Sequence, residues 1–436
     1  MLATLAGRAR THLGLIRSGK RSTAWWVLRE NRPFRLYFCG SVISDLGTWL
    51  QNTAQVLLAY QIAHSVLMVG LVTCAQFSSP LLLSPYAGVF TDRFGGRRTL
   101  LGTQVTAALI AAGLSWMEFT GRLTEWPLAI GAFLSGLCFT FALPARNVTV
   151  RRLTAGAEVK PAFTMDSVSY NLGRAIAPLM SLALVHYAGF GWAFAANSAS
   201  FAIFTVVLIA AGRHGHAEPE RRSRLMAGFQ IASRDRRILI LLLMVAAVTL
   251  ADDPILVLGP ALTSRLHVPL GFSGWFIAAL GFGSVLGSVR RSSHRPSLRL
   301  AATTLAILSL FMMMFVGTRL VWVSVFAAFG AGVSCLVANA ATRTLLIEAA
   351  GPEREASVMA VWAIAWAGSK PFASLTDGLL AGWVGVRWDG LILATPALIP
   401  IIVMSLAPEL GRRFRGQLAP AERPTSPQPV LEVLGG

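Results

Sequence analysis

The sequence predicts an all-α membrane protein of twelve transmembrane helices, arranged as two pseudo-symmetric six-helix bundles. Three observations lead there. Charged residues make up 13% of the 436 residues and hydrophobic ones 54%, whereas an ordinary soluble chain carries about 25% charged residues. About twelve apolar runs reach the length that spans a bilayer as a helix. The longest internal polar stretch, GRHGHAEPERRSRLMAGFQIASRDRR at 212–237, divides those runs six and six.

Spans one to six fall near 34–60, 67–90, 99–118, 127–145, 163–187 and 190–211. Spans seven to twelve fall near 238–262, 271–289, 299–317, 320–346, 356–382 and 391–407. In hydrocarbon each backbone N–H and C=O must be bonded within its own segment, so runs of this length read as helices. A membrane barrel would need alternating strands of about ten residues, a pattern absent over most of the chain. The implied organisation is a basic N-terminal segment (1–33), a first bundle (34–211), a linker (212–237), a second bundle (238–407) and a disordered tail (408–436), rich in Pro and polar residues after Arg415.

The formal charge of +18 is placed asymmetrically. Arg8, Arg10, Arg17, Lys20, Arg21, Arg29, Arg32 and Arg35 precede or open span one, without the apolar stretch and cleavage site of a signal peptide. Arg93, Arg97 and Arg98 follow span two; Arg151, Arg152 and Lys160 follow span four; a run from Arg213 to Arg237 follows span six; Arg290, Arg291, Arg295 and Arg299 follow span eight. The opposite loops hold Arg122, Arg265, Arg319 and Arg387. Because positive residues in short loops mark the cytoplasmic side, both termini are expected there. The charge is thus mainly a topology signal, with attraction to anionic lipid as a by-product, and nucleic acid is not an expected partner.

Other chemistries find no support. Cys39, Cys74, Cys138 and Cys335 stand singly within spans, so neither a disulfide framework nor a metal site is indicated. His214 and His216 lack further ligands nearby. No GxxxxGK[ST] phosphate loop occurs, which argues against ATP-driven pumping. No nucleophile–base or metal cluster stands out, so no enzyme and no cofactor is expected.

The two halves resemble each other faintly. NVTVR at Asn147–Arg151 leads on to Pro178, and NAATR at Asn339–Arg343 leads on to Pro371 after nearly the same interval. Parallel six-helix repeats build one large class of transporters, with the substrate site between halves near the midplane. Between spans two and three lies GVFTDRFGGRRTLLG, residues 88–102. A positive-inside hairpin accounts for its arginines but not for Asp92 with Gly88 and Gly95 at fixed spacing. Twelve spans with this G-x3-D-R-x-G-x-R-R signature resemble the major facilitator superfamily. The stretches NRPFRLYFCGSVISDLGTWLQNTAQVLLAYQIAHSVLMVGLV, PAFTMDSVSYNLGRAIAPLMSLAL and PEREASVMAVWAIAWAGSKPFASLTDGLLAG are similar to the branch that includes the enterobactin exporter and related drug and macrolide effluxers. The resemblance covers roughly residues 30–407.

It implies two bundles, alternating access and, for exporters, exchange of substrate for protons. The family's cytoplasmic gate motif carries over to Gly88, Asp92, Arg93, Gly95, Arg97 and Arg98. This loop is expected to hold the bundles together when the pore faces outward. The second-half counterpart, GSVLGSVRRSSHRPSLRL, keeps Gly283, Gly287 and the arginines but has no acid where Asp92 would fall, so the latch is expected to be asymmetric.

A charge inside a span costs about 2.5–3.5 kcal/mol at the bilayer centre on insertion scales, so each should have a cavity or a partner. Asp45 in span one, Arg174 in span five, Lys370 in span eleven, and Asp252 and Asp253 in span seven are the candidates, and the fold could bring all five together. In one reading Asp45 or Asp252 merely neutralises Arg174 or Lys370. In the other, Asp45, Asp252 or Asp253 exchanges a proton, while Arg174 and Lys370 meet an anionic group on the substrate. Gln51, Asn52 and Gln55 form a polar stripe that either lines a hydrated cavity or bonds to neighbouring helices. Asp377 and Glu348 are expected at the rims. Pro178, Pro254 and Pro371 are expected to kink their helices, and Gly283-x3-Gly287 and Gly378-x3-Gly382 to admit close neighbours.

The expectation is a monomeric, multi-pass transporter of the bacterial inner membrane. It would export a small amphipathic compound, such as a siderophore, macrolide or other natural product, with protons as coupling ion. The alternatives are a nutrient or lysophospholipid transporter, or a non-transporting membrane receptor or scaffold.

Overall fold

The computed structural model describes residues 24–154, 158–212, 225–290, 297–351 and 354–406. The charged stretch around His214 and His216, Arg291, Arg295 and the tail 408–436 lie outside the described residues, as does most of the N-terminal segment. The described residues are helical almost throughout and contain no strand.

Span one is Arg32–Ala63, span two Val66–Phe94, span three Gly96–Phe119, span four Glu125–Leu153, span five Val159–Ala188 and span six Phe190–Ala210. Span eight is Phe272–Arg290, span nine Leu298–Gly317 and span ten Val321–Ala350. Span four runs eight residues past its expected end at 145, to Leu153, which places Arg146 inside a helix. Caps set several starts. The Asn31 side chain accepts from the Phe34 N–H at the head of span one, and Ser297 from the Leu300 N–H at the head of span nine.

The remaining spans are interrupted. Span seven is Arg236–Asp252, then Pro254–Val257, then Gly259–Arg265. Span eleven is Glu355–Ala367 and Lys370–Val384, and span twelve is Val386–Ala394, a 3₁₀ turn Thr395–Leu398, and Ile399–Leu406. Pro254 and Pro371 each sit in the first turn of a restarted helix, where a missing N–H costs nothing. Pro178 lies inside an unbroken helix. The three prolines therefore act differently: Pro254 and Pro371 open new helical segments, whereas Pro178 is carried within a continuous helix.

Among the described residues, nine helices are both long and apolar enough to cross a bilayer on their own. Spans one, eight and eleven fall short of that measure: span one carries Asp45, Gln51, Asn52 and Gln55, span eight has a short apolar stretch, Phe272–Gly287, and span eleven is split. These are the spans that packing must support.

The halves meet through two exchanged pairs, span two with span eleven and span five with span eight, as a pseudo-twofold axis requires. A Cβ on Gly274 would come within 2.6 Å of Leu182, and one on Gly281 within 2.5 Å of the Arg174 carbonyl oxygen. Gly70 abuts the Ser374 carbonyl, and a Cβ on Gly378 would sit 3.0 Å from the Leu67 Cα. Tyr60 and Ser264 hydroxyls bond at 3.2 Å between the ends of spans one and seven. Beyond Leu81, which faces Gly368, span two presents Tyr86, Val89, Phe90 and Phe94 exposed. The halves thus meet closely at the end opposite the Asp92 loop. The internal echo has a structural counterpart: Arg151 lies over the Phe163 ring at 5.6 Å, and Arg343 over Trp362 at 4.9 Å.

The two glycine motifs behave differently. Gly283 abuts the Phe329 carbonyl, and a Cβ on Gly287 would lie 2.8 Å from the Val333 carbonyl oxygen, so span eight packs on span ten backbone to backbone. Gly378 meets span two, while Gly382 has nothing within 4 Å. Gly283→Ala is therefore expected to lose about 1–3 kcal/mol through overpacking. Gly382→Ala should be neutral or slightly stabilising, since Ala favours helix over Gly. Thermal unfolding of the purified variants in one detergent checks the contrast.

Candidate functional site

The buried charges fall into two centres instead of one. In the first half, Asp45 meets Arg146 of span four, which approaches it in bidentate fashion: Nη1 to Oδ1 at 2.7 Å and Nη2 to Oδ2 at 3.1 Å. Arg146 Nη2 also donates to Asp166 of span five at 2.9 Å. The Tyr37 hydroxyl donates to Asp166 at 3.0 Å, and Ser169 Oγ to Asp45 at 2.5 Å. Ser41 Oγ donates to Ser169 Oγ at 3.1 Å. Paired fork-to-carboxylate geometry is the strong form of such a bond. Asp45 does not reach Arg174 or Lys370, contrary to one reading of the sequence. A Cβ on Gly173 would lie 2.8 Å from the Asp45 carbonyl oxygen, so spans one and five pack too closely there for another long side chain.

The second centre lies between the halves. Arg174 of span five donates to Asp252 of span seven at 3.2 Å and 3.5 Å. Lys370 of span eleven reaches Asp253 at 3.4 Å, and Ser374 Oγ donates to Asp253 at 2.5 Å. Aromatic faces support both cations. The Arg174 guanidinium lies 5.7 Å from the Trp49 ring centroid, and the Lys370 ammonium 5.1 Å from that of Phe77. Trp49 in turn meets Tyr170 edge-on at 5.6 Å. Pro178 has no N–H to bond the Arg174 carbonyl four residues back, and that carbonyl is where Gly281 of span eight packs.

Adjacent aspartates therefore serve different partners: Asp252 crosses to the first half, and Asp253 stays within the second. Both helix interruptions of the site, at Asp253–Pro254 and at Gly368–Lys370, flank these pairs. Broken helices at buried binding sites are a recurring transporter device, because they expose backbone and allow a small rotation.

The polar stripe of span one bonds to its neighbours. Asn197 of span six donates to Gln51 at 2.7 Å, Gln76 of span two donates to Asn52 at 2.9 Å, and Gln51 donates to Gln55 at 3.4 Å.

In the 88–102 loop, Gly95 adopts φ +86° and ends span two, a conformation open to glycine at little cost. Arg97 donates to the Leu208 and Ile209 carbonyls at 3.1 and 3.4 Å, satisfying the C-terminal end of span six, where a cation is favoured. Arg93 lies over Phe94 at 5.6 Å, and Arg98 is exposed. Asp92 is exposed and bonds to no described side chain or backbone group. A Cβ on Gly88 would meet nothing within 4 Å.

Residues 37–374 match the sequence pattern of the Major Facilitator Superfamily. The chain belongs to the major facilitator superfamily. It is similar to the uncharacterized MFS-type transporter YfiS of Bacillus subtilis, 22% identical over 60% of this chain and 64% of that protein. It is also similar to the enterobactin exporter EntS of Shigella flexneri, 23% identical over 64% of this chain and 68% of that protein. The staphyloferrin A transporter of Staphylococcus aureus matches at 25% over 35% of this chain and 39% of that protein. The matched segment spans less than two thirds of the B. subtilis relative. Among solved structures, the fold matches a bacterial homologue of the human lysosomal transporter Spinster, with TM-score 0.67, 14% identity and coverage of 88% of this chain and 92% of that one. It also matches the nucleoside transporter NupG, with TM-score 0.69, 11% identity and coverage of 89% and 99%. The chain is a multi-pass membrane protein with the fold of this superfamily.

Three residues of this superfamily member take on a place that the sequence does not reveal. Arg146 lies just beyond the expected end of span four, so hydropathy does not mark its charge as buried; the polar run RNVTVR offers little warning. Asp166 is within span five, and its spacing of three from Ser169 places both on one face. Asp377, expected at the rim, is fully buried, because span twelve folds back over that end of span eleven. Glu348 is exposed, as a rim residue should be. A surface pocket of about 630 Å³, lined by Arg234, Asp235, Arg236, Arg237 and Arg354, shares no residue with the buried charges.

Removing one member of a buried ion pair costs about 3–5 kcal/mol, because the other charge is left unmatched. Arg146→Gln leaves two carboxylates facing each other, whereas Asp45→Asn leaves Arg146 bonded to Asp166. Arg146→Gln is thus expected to lower the thermal midpoint more than Asp45→Asn. Equal midpoints would show that the arginine does not organise the cluster.

Proposed function

We propose that the chain exports a small amphipathic compound bearing anionic or catechol groups from the bacterial cytoplasm, in exchange for protons. The observation that carries this reading is the Arg174–Asp252 pair, which joins one half to the other beside the Trp49 face. An ion pair spanning the two moving bodies has to change when they separate. An anionic group on the substrate competes with Asp252 for Arg174, and the planar guanidinium and indole suit an aromatic acid or catecholate. Asp252, once released from its cation, takes a proton, since an unmatched carboxylate in low dielectric is costly to keep ionised. The partial likeness to the enterobactin exporter and the staphyloferrin A transporter supports the same substrate class.

In this reading the Asp92 end faces the cytoplasm of the inner membrane, as do both termini, and the described conformation is closed toward the outside. The unpartnered Asp92 is then a latch in its released state. It engages when the cytoplasmic ends of the bundles approach, and the open space at Gly88 is taken up by the other half. Asp45 is the second proton-exchanging candidate: it shares Arg146 with Asp166, so one arginine faces two carboxylates. The protein acts as a monomer.

Everted membrane vesicles with an imposed pH gradient and a radiolabelled catecholate siderophore provide the test. Uptake driven by the gradient is expected in the native protein. Loss is expected in Asp252→Asn and Asp45→Asn, each inserted at native level. Arg174→Gln should raise the half-saturating substrate concentration. Uptake unchanged by collapse of the gradient would remove the antiport reading.

A further inference from the structure

Two buried carboxyl groups have no place in the transport scheme built on Arg174 and Asp252. Asp377 of span eleven and Asp389 in the first turn of span twelve are both 0% exposed. Neither oxygen of either one accepts a hydrogen bond from a described residue. Among the described residues, the other carboxylates of the two buried centres have basic or hydroxyl partners: Asp45 and Asp166 have Arg146, Asp252 has Arg174, and Asp253 has Lys370 and Ser374.

The groups around Asp377 can be taken element by element. Span seven brings Asp252 and Asp253, whose charges are already matched, and its last residue, Arg265, is exposed and lies at Gly385. Span twelve brings Asp389 and Arg387, and Arg387 donates to the Thr318 carbonyl at 3.5 Å. Span two brings Leu67 and Gly70, neither of which is titratable. Among the described residues, no basic side chain pairs with Asp377. An isolated ionised carboxylate in such a place is too costly to persist, and the group neutralises instead. Asp389 at least sits where the N-terminal helix dipole favours negative charge. Asp377 has no such compensation.

Its position on span eleven gives the proton a use. Ser374, one turn away on the same face, holds Asp253, and its carbonyl is what Gly70 of span two packs against. Gly378, the next residue, packs on Leu67. Asp377 therefore lies directly behind the seam that closes the halves at this end.

We propose that Asp377 is a proton-binding site of the second half, which takes up a proton from solution when the span two–span eleven seam parts and holds it while the seam is closed. Its role in driving transport rests on the proton-coupled reading of the proposed function; its existence does not. Ser374 on the same helix face, and Asp253 of span seven bonded to it, are the next groups inward, so a proton taken up here has hydroxyl and carboxylate groups to pass through before it leaves on the other side.

Infrared spectroscopy of the full chain in proteoliposomes, at a pH well above the ordinary carboxylate range of about 4, tests the proposal without a transported substrate. The expected result is a carbonyl band of a protonated carboxylic acid in the native protein, lost in Asp377→Asn, shifted in Asp377→Glu and retained in Asp389→Asn. Asp377→Asn mimics the neutral acid and should keep the native thermal midpoint. Gly70→Leu, which wedges the seam open, should abolish the band at that pH. Absence of the band from the native protein, its survival in Asp377→Asn, or its indifference to Gly70→Leu would overturn the proposal. If the band behaves as expected but native uptake ignores the pH gradient, the proton site stands and the antiport reading falls. If uptake follows the gradient but the band survives Asp377→Asn, the antiport reading stands and the proton site falls.

Discussion

The interior of this protein is organised by the need to match each charge placed within it. Charge is expensive in a low-dielectric interior unless paired and bonded, and the chain places at least five acids and three bases there. Their pairings decide which helices are neighbours. Arg146 ties span four to spans one and five through Asp45 and Asp166. Arg174 ties span five to span seven, and Lys370 ties span eleven to span seven. The same residues thus trace a connected path from the centre of one half to the centre of the other. The apolar surface is nonspecific by comparison, since lipid and helix are alike to a leucine.

The two centres are not equivalent. The Asp45–Arg146–Asp166 cluster is contained in the first half, so it can survive intact as the halves move. The Arg174–Asp252 pair belongs to both halves, and any rocking of one against the other strains it. The seams around it are made by small residues against backbone or a single side chain: Gly281 on Arg174, Gly70 on Ser374, Gly274 on Leu182. Such surfaces have little interdigitation to undo, so they separate and re-form with modest rearrangement. In the proposed reading, a directional contact set among smooth ones is where a substrate exerts control.

Much of this is legible in the sequence. The number of helices follows from run length and hydropathy, because the bilayer imposes a single length scale on every span. The buried candidates Asp45, Arg174, Asp252, Asp253 and Lys370 are visible as charges in apolar surroundings. Their pairing is not visible. Arg146 stands one residue outside the apolar run of span four, and hydropathy cannot show that the helix continues another two turns as a polar, protein-facing segment. Asp377 looks peripheral for a related reason. Its distance along span eleven follows from the sequence, but the covering by span twelve is a tertiary fact with no local signature. The polar stripe Gln51–Asn52–Gln55 is ambiguous on its own, since the partners that satisfy it, Asn197 and Gln76, lie on other helices.

The neighbouring pair Asp252–Asp253 shows how connectivity and chemistry combine. Successive residues on a helix point about 100° apart, so the two carboxylates necessarily address different surroundings. Asp252 faces the other half, and Asp253 faces span eleven. Pro254 directly follows, with no N–H for the carbonyl of Leu250, and the helix restarts there. A change at Asp252 is therefore felt at a joint and not along a rigid rod. The facing helix is interrupted too, between Ala367 and Lys370, at the residues that grip Asp253. Thr249 adds a bond from span seven to the Trp366 carbonyl at 3.3 Å, just before that interruption. Two broken helices clasped at their breaks can rotate together while their distal halves stay anchored. Release of Asp252 from Arg174 on one side would then be transmitted through Asp253 and Ser374 to the stretch of span eleven that closes against Gly70, which links the cross-half ion pair to the seam at the far end without any long conformational relay.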